Sequence, residues 1–186
     1  MSKTGFTTTT LHSDRYDHPE HGAVHKPVHN SVAYHYDEAR DLADVFQGKA
    51  PWHVYARQGN PTTQALEQKI THMEDAVGSV VFGTGMAAIA SMMGALLKAG
   101  DHVVSSAFLF GNTNSFFGTL QSFGIEVTFV DATSVSEVES AIKSNTRLVF
   151  AETIANPVTQ VADLDNIGKL CQQHGLVYCV DNTMTS

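Results

Sequence analysis

The chain has 186 residues, of which 42% are hydrophobic and 16% are charged, a composition typical of a globular protein with a substantial core. It contains 19 acidic and 11 basic residues, for a formal net charge of −8. This acidity argues against a nucleic-acid partner, which would require a basic patch, and against attachment to a membrane surface. No apolar run approaches the roughly 20 residues that a membrane-spanning helix needs.

The cysteines and the N-terminus favour a cytoplasmic protein. Met1 to Phe6 are followed by threonines rather than by an apolar stretch, so a secretory signal peptide is not predicted. Cys171 and Cys179 are the only cysteines, which is typical of reduced thiols rather than of a disulfide framework. We interpret both as structural side chains.

The first 59 residues differ from the rest of the chain. Pro19, Pro27 and Pro51 interrupt this part, and we predict only one short helix, over residues 38–46. The remainder is expected to form an extended arm. Because an arm of this kind buries little apolar surface locally, we expect it to lie on a neighbouring subunit or on another domain.

Four histidines in the arm invite a metal-binding interpretation. The spacing of His18, His21, His25 and His29 would stack them on a helix and could bind zinc. The prolines and the glycine between them exclude that helix, so no metal site is predicted.

From Asn60 onward, helices and strands alternate. Asn60 is predicted to cap a helix that has Pro61 at its first position, with apolar residues at helical spacing as far as Val77. The further predicted elements are a short apolar strand at 79–82, a core helix at 86–98 ended by Gly100, a strand at 102–104, a helix at 112–122, a strand at 125–130, a helix at 134–143 opened by a capping box of Ser134 and Glu137, a strand at 148–150, a helix at 163–174 ended by Gly175 and a strand at 176–180. This alternation predicts an α/β fold with a three-layer, doubly wound, mostly parallel sheet.

A glycine-rich turn, Phe82-Gly83-Thr84-Gly85-Met86-Ala87-Ala88, precedes the second of these helices. Exposed N–H groups at a helix start attract an anion such as a phosphate. The turn also fits the G-x-G-x-x-A form of a dinucleotide fingerprint, but such a site needs an acidic residue at the end of the next strand, where this chain has Val104-Ser105-Ser106-Ala107. A single phosphate is therefore favoured, with glycines that serve only helix packing as the simpler alternative.

Polar side chains follow two later strands. Asp181 ends the apolar run 177–180 and so reaches the carboxyl edge of the predicted sheet, where ligands bind. A partly buried carboxylate needs a partner; a cationic ring nitrogen would serve, and a helix cap is the alternative. Asn156, before Pro157, presents an amide at the same edge, although the segment alone reads as an ordinary turn.

Tyr55 and Arg57 lie two residues apart in the arm. In an extended strand both side chains would share one face, where a phenol and a guanidinium could bind a phosphate. A surface arginine in an ion pair is the alternative.

Together these segments resemble the Cys/Met metabolism family of fold-type I pyridoxal-phosphate enzymes, the transsulfuration group. The resemblance rests on four motifs in order: Tyr55-x-Arg57-x-Gly59-Asn60-Pro61, Thr84-Gly85-Met86-Ala87-Ala88, Glu152 with Asn156-Pro157, and Asp181-Asn182-Thr183. It implies pyridoxal 5′-phosphate as cofactor, a small amino-acid substrate and a homo-oligomer, a dimer of dimers. Residues 60–186 would be the first part of the cofactor-binding large domain.

The resemblance also implies roles for residues. The backbone amides of Gly85 and Met86 would hold the cofactor phosphate. Asp181 would pair with the pyridinium nitrogen, Asn156 would bind the ring hydroxyl oxygen, and Thr183 would support the site beside Asp181.

Three further residues complete this set. Tyr55 and Arg57 would reach the cofactor phosphate of a neighbouring subunit. Phe110, followed by Gly111, replaces the tyrosine that most relatives stack on the cofactor ring; stacking is retained and the hydroxyl is lost. This departure is more similar to homoserine sulfhydrylases than to γ-lyases.

A second departure concerns activity. The family's Ser-x-Thr-Lys motif, which supplies the Schiff-base lysine, does not occur in these 186 residues, so no catalytic residue is assigned. We expect an N-terminal piece of a longer enzyme, inactive alone. For the intact enzyme we expect γ-replacement on an O-acylhomoserine, as in cystathionine γ-synthase or homoserine sulfhydrylase.

Three alternatives remain. The nearest is γ-elimination, as in cystathionine or methionine γ-lyase. The others belong to different classes, namely an NAD-binding oxidoreductase domain and a non-catalytic module that binds a phosphate ligand or a partner.

Overall fold

A computed structural model describes residues 5–13 and 20–185 of the chain. The chain divides into two compact units, Met1–Phe82 and Gly83–Ser186. Seven α-helices and four strands lie in the described part: α1 Phe6–His12, α2 Ala39–Phe46, α3 Pro61–Met73, α4 Gly85–Leu96, β1 His102–Ser106, α5 Gly111–Ser122, β2 Glu126–Val130, α6 Val135–Ser140, β3 Thr146–Glu152, α7 Leu164–His174 and β4 Val177–Asp181.

The first unit is organised around the start of α3. The side chain of Asn60 accepts a hydrogen bond from the backbone N–H of Thr62 at 2.8 Å and donates one to the backbone carbonyl of His29 at 3.0 Å. Asn60 is therefore the predicted N-cap, and it also ties α3 to the preceding segment. The helix predicted over 38–46 is confirmed as α2. The arm additionally forms α1, which was not predicted and which packs against α3.

Two predictions fail between α3 and the second unit. The helix ends at Met73, and Asp75 has a positive φ of 51°, so Val77 lies outside the helix and is fully exposed. Residues 79–82 form no strand. The N–H of Val81 donates instead to the carboxylate of Glu67 at 3.1 Å, so this segment bonds to α3 and not to a sheet.

The second unit contains a four-stranded parallel sheet in the order β2-β1-β3-β4. Helices cover both faces, which gives the three layers that the alternating pattern predicted. Buried residues on one face include Met93, Val103, Phe117, Leu148 and Phe150. Those on the other face include Val104, Val138, Val149, Ile167 and Leu170. Alternate residues of the same strands thus serve opposite layers, as strand geometry requires.

The helices of this unit match the predictions closely at most ends, but α4 ends at Leu96 and is not closed by Gly100 as predicted. Gly175 closes α7 in the left-handed conformation, as predicted. In α4 the core prediction holds only in part, because Met93 and Leu97 are buried whereas Leu96 is 45% exposed.

The capping box predicted for α6 is not formed. The Ser134 hydroxyl pairs with that of Ser136 at 3.0 Å, and the Glu137 carboxylate accepts the N–H of Asp131 at 3.2 Å. Both side chains are thus engaged elsewhere, and the helix ends at Ser140 instead of Lys143.

The two cysteines are buried and are not joined in a disulfide. Burial raises the pKa of each thiol, Cys171 and Cys179, to about 11, so both are protonated at neutral pH and unreactive. None of the helices in the described ranges has the length and apolarity needed to cross a membrane.

Candidate functional site

The carboxyl ends of the central strands define one edge of the sheet. β3 ends at Glu152 and β4 ends at Asp181, and these two residues are register partners. The chain runs from β1 to β2 on one side and from β3 to β4 on the other, so the strand order reverses between β1 and β3. A reversal of this kind is where α/β sheets bind ligands.

A cleft of about 160 Å³ opens at this edge. Its walls are Phe110, Glu152, Ile154, Asn156, Asp181, Thr183 and Met184. The fold therefore brings together four of the residues singled out from the sequence, namely Phe110, Asn156, Asp181 and Thr183, which come from three different connections of the sheet.

Asp181 has one engaged oxygen and one open oxygen. Its Oδ1 accepts hydrogen bonds from the backbone N–H of Thr183 at 2.9 Å and from the Thr183 hydroxyl at 2.6 Å. No described residue donates to Oδ2. The partly buried carboxylate therefore caps no helix and keeps an acceptor free in the cleft.

Two further side chains in the walls of the cleft, those of Asn156 and Phe110, are accessible to a ligand. The side-chain amide of Asn156 has no hydrogen-bond partner among the described residues, and the residue is exposed. The Phe110 side chain is 44% exposed, and its backbone begins α5 as the N-cap. An amide and an aromatic ring are thus available to a ligand in the cleft.

Glu152 is the buried member of the site, at 6% exposure. Its Oε1 accepts the N–H of Phe110 at 2.7 Å, and its Oε2 accepts the N–H of Asn156 at 3.4 Å. Burial raises the pKa of Glu152, the two backbone hydrogen bonds oppose that rise, and the negative charge of Asp181 adds to it. Glu152 is a site residue that was not predicted, although, like Asp181, it is a carboxylate that follows an apolar run.

The glycine turn opens α4 in the same unit. The Thr84 hydroxyl accepts the N–H of Ala87 at 3.1 Å, whereas the N–H groups of Gly85 and Met86 have no acceptor in the described part of the chain. A Cβ added at Gly83 or Gly85 would meet no atom within 4 Å. Helix packing therefore does not require these glycines, and the space beside them is open to an anion.

The start of α4 is linked to the start of α5. The buried Thr113 hydroxyl lies 3.8 Å from the sulfur of Met86, and Thr113 is in the first turn of α5. Because α5 begins directly after Phe110, the glycine turn and an aromatic wall of the cleft are attached to neighbouring helix ends.

The dinucleotide alternative loses two of its elements. β1 ends at Ser106 with no carboxylate, and residues 79–82, directly before the glycine turn, form no strand. The fingerprint requires both.

Tyr55 and Arg57 belong to the first unit, and their predicted extended conformation is wrong. Residues 56–58 form a turn, in which the N–H of Gln58 donates to the Tyr55 carbonyl at 2.9 Å. The turn places the Arg57 guanidinium 4.8 Å from the centre of the Tyr55 ring. Arg57 forms no ion pair with another described residue, so the alternative of an ion-paired arginine finds no support.

The histidines of the arm show no metal-site arrangement where they are described. Within residues 5–13 and 20–185, no three His, Cys, Asp or Glu side chains are grouped to hold a metal ion. His18 lies outside the described residues.

The chain is similar in sequence to a known protein family and to characterised relatives. A family model described as Cys/Met metabolism PLP-dependent enzyme matches residues 7–186. The L-methionine γ-lyase of Fusobacterium nucleatum subsp. nucleatum is 36% identical over 188 residues, which cover 100% of this chain and 47% of the relative.

Two solved structures of relatives match the fold of this chain. The structure of the Wolinella succinogenes O-acetylhomoserine sulfhydrylase is 47% identical, with a TM-score of 0.65, over 68% of this chain and 36% of its own. That of the Lactobacillus plantarum cystathionine γ-lyase in complex with L-serine is 29% identical, with a TM-score of 0.87, over 98% of this chain and 46% of its own. The chain thus spans about half the length of its full-coverage relatives.

Proposed function

Because the chain belongs to the Cys/Met metabolism family of pyridoxal-phosphate-dependent enzymes, we propose that its cleft binds the ring of that cofactor. The observation that carries this proposal is the open oxygen of Asp181. A partly buried carboxylate with a free acceptor fits the N–H of a cationic ring, because a hydrogen bond between two charged groups is among the strongest. The residues present therefore fit the cofactor that the family uses.

The walls of the cleft take complementary roles in this proposal. When bound, the cofactor supplies an electron-accepting ring. Asp181 holds a proton at the ring nitrogen, and Thr183 orients Asp181 through its two hydrogen bonds. Asn156 binds the ring hydroxyl oxygen with its free amide, and the Phe110 ring stacks on the cofactor ring and excludes water from one side.

The phosphate of the cofactor is assigned to the start of α4. The N–H groups of Gly85 and Met86 are unpaired within the described residues, and a helix N-terminus favours an anion. The missing side chain at Gly85 leaves room for close approach of the phosphate oxygens.

Tyr55 and Arg57 are proposed to bind the phosphate of a neighbouring subunit in a homo-oligomer, a dimer of dimers. The guanidinium rests on the Tyr55 ring, which orients it without neutralising its charge. An arginine without an ion-pair partner in the described chain is suited to an anion supplied from outside it.

The proposed reaction is γ-replacement on an O-acylhomoserine. Phe110 has no hydroxyl, so the aromatic wall of the cleft positions the ring but carries no proton, which favours the sulfhydrylase type. The 47% identity with an O-acetylhomoserine sulfhydrylase points the same way. The second candidate is γ-elimination, which the 36% identity with an L-methionine γ-lyase over the whole chain favours.

We further propose that these 186 residues supply the cofactor-binding half of the reaction and do not turn over substrate alone, since the described cleft contains no lysine. The buried, unpaired thiols are typical of the reducing cytoplasm, where we expect the enzyme to act.

Binding of pyridoxamine 5′-phosphate to the 186-residue chain tests the cofactor site. This analogue lacks the aldehyde and does not react with lysines, so only the proposed contacts are measured. We expect saturable binding with induced circular dichroism in the ligand's own absorption band. Asp181→Asn should raise the Kd at least about tenfold, because hydrogen bonds to charged groups contribute about 1.5–3 kcal/mol.

Asp131 offers a matched control. It follows β2, and its Oδ1 accepts from the N–H and the hydroxyl of Thr133 at 2.8 and 2.6 Å, the same local arrangement as at Asp181. Asp131→Asn should leave the Kd unchanged. Equal effects of the two substitutions, or no binding by the folded wild-type chain, would contradict the site.

The reaction itself is tested on the product of the complete reading frame. Faster formation of homocysteine from O-acetylhomoserine and sulfide than of α-keto acid from methionine supports γ-replacement. The opposite ratio supports the lyase. Measurable turnover by the 186-residue chain alone contradicts its proposed inactivity.

A further inference from the structure

The buried carboxylate of Glu152 connects two walls of the cleft. Its two oxygens accept the backbone N–H groups of Phe110 and Asn156. Phe110 lies 42 residues before Glu152 in the chain, and Asn156 lies four residues after it. Phe110 begins α5 and Asn156 follows β3. One side chain thus spans the gap between two otherwise separate loops.

We propose that Glu152 is a positioning residue for the cofactor ring. Its carboxylate fixes the backbones of Phe110 and Asn156 and thereby the side chains that contact the ring; this rests on the proposed function of the cleft. The role is distinct from that of Asp181, which contacts the ring itself.

The charge of Glu152 matters for this role. A carboxylate accepts at both oxygens, so it can hold two N–H donors at once. A glutamine in its place accepts at one oxygen and turns an NH₂ group towards the second donor. The isosteric change therefore breaks one of the two anchors while it preserves the volume of the side chain.

The position of Glu152 next to Asp181 supports a functional role over a purely structural one. The two carboxylates are register partners on adjacent strands, and like charges in such a pair are destabilising. The Asp181 charge contributes to the raised pKa of Glu152. A carboxylate is present at this position despite that repulsion, as expected if both loops must be held by one side chain.

The test uses pyridoxamine 5′-phosphate and the 186-residue chain. We expect Glu152→Gln to raise the Kd about tenfold and to reduce the induced circular dichroism of the bound ligand, which reports how firmly the ring is held. Glu137→Gln is the control, since that carboxylate also accepts a backbone N–H, from Asp131, outside the cleft. It should change neither signal.

A double-mutant cycle separates positioning from a general loss of stability. If Glu152 acts through Phe110 or Asn156, Glu152→Gln should weaken binding less in a Phe110→Ala or an Asn156→Ala background than in the wild type. Additive effects in both backgrounds would overturn the proposal.

Hydrogen exchange in the wild-type chain tests the proposal even if the Glu152→Gln variant does not fold. Amide hydrogen exchange at Phe110 should be slow and should slow further on ligand binding. Exchange at the rate of an open amide would overturn the proposal.

Two different results would show whether the cofactor site or only the positioning role of Glu152 is wrong. Absence of binding by the folded wild type removes the proposed function and the positioning role with it. Normal binding by the wild type together with an unchanged Kd and dichroism in Glu152→Gln removes the positioning role alone.

Discussion

Glu152 and Asp181 are paired across β3 and β4, yet the two carboxylates have opposite surroundings. Both oxygens of the buried Glu152 accept backbone N–H groups. Asp181 is partly exposed and engages only one oxygen, through Thr183. Adjacent positions on one sheet edge thus provide one carboxylate that holds the loops and one that is available to a ligand.

Gly85→Ala should weaken ligand binding without weakening the fold. A Cβ at this position meets no protein atom and lies at the first position of α4, so the free energy of unfolding should stay equal or rise by up to about 1 kcal/mol. The methyl group would occupy the space proposed for the phosphate. The Kd for pyridoxamine 5′-phosphate, measured by equilibrium dialysis, should rise at least about tenfold.

Gly94→Ala is the control for Gly85→Ala. Gly94 also lies in α4 with open space around its Cβ position, but it is away from the helix start. It should leave the Kd unchanged. A Kd that Gly85→Ala does not alter would place the phosphate elsewhere.

If neighbouring subunits share cofactor sites, mixing two variants that each bind pyridoxamine 5′-phosphate weakly should restore some high-affinity sites. Arg57→Ala removes the proposed contribution to the neighbour's phosphate, and Asp181→Asn removes the contribution to the chain's own ring. A hybrid oligomer contains some sites with both residues intact. Unfolding and refolding the two variants together should therefore recover part of the high-affinity sites, counted by titration with pyridoxamine 5′-phosphate.

The control for this experiment is each variant refolded alone, which should recover none of these sites. If the mixture forms oligomers but also recovers none, Arg57 does not contribute to the ligand site of a neighbouring subunit, which contradicts the proposed sharing of sites.

Stability should fall as the pH drops, because His102 is buried as a neutral side chain. Nδ1 of His102 is hydrogen-bonded to the Thr146 hydroxyl at 2.7 Å and Nε2 to the Thr128 hydroxyl at 2.8 Å, so both ring nitrogens have partners when the ring is neutral. Burial, with the positive charge of Lys143, lowers the pKa of His102 from 6.5, and Glu126 opposes this.

The direction of the change in stability with pH follows from which state, folded or unfolded, binds the proton more tightly. Below pH 6.5 the unfolded chain takes up a proton that the folded chain takes up only at its lower pKa, so stability is lost over that window, by at most about 1.4 kcal/mol per pH unit. Urea unfolding at several pH values should show a shallower slope for His102→Gln than for the wild type. His35→Gln is the control, since the His35 side chain is 87% exposed; an unchanged slope in His102→Gln would contradict the prediction.

Phe150→Ala should destabilise the second unit strongly. Phe150 is 1% exposed and packs edge-on against Phe117, with ring centres 5.0 Å apart. Loss of a buried phenyl ring costs about 3–5 kcal/mol of unfolding free energy. Phe123→Ala, at a position that is 64% exposed, should change it by no more than about 0.5 kcal/mol; similar losses from both would argue against this core.

Several features of this protein follow from local sequence alone. The apolar runs that end at Glu152 and Asp181 predict buried parallel strands, since a strand covered on both faces needs no polar alternation. Asn60 before Pro61 and Gly175 after α7 mark helix ends through the bonds and dihedral angles available to single residues. Asp181 and Asn156 could be named because they follow such strands, whereas Phe110 was identified only through the family resemblance.

Other features depend on partners that are distant in the chain. Residues 79–82 have the composition of a strand, but Glu67 accepts the N–H of Val81, and a strand forms only where a neighbouring strand is available. The Ser134 and Glu137 capping pattern was present, yet each side chain bonds to a different partner. Local propensity sets which conformations are accessible, and competition among hydrogen-bond partners selects one of them.

The role of Glu152 is the clearest case. Chain order shows a carboxylate at the end of a strand, but nothing in it shows that the N–H of Phe110, 42 residues earlier, lies 2.7 Å away. Hydrophobic periodicity therefore indicated the four strands of the sheet, most of the helices and several of the side chains that reach the sheet edge. Only the packing of β3 beside β1 decided which of those side chains meet, because a hydrogen bond depends on distance in space and the sequence records only distance along the chain.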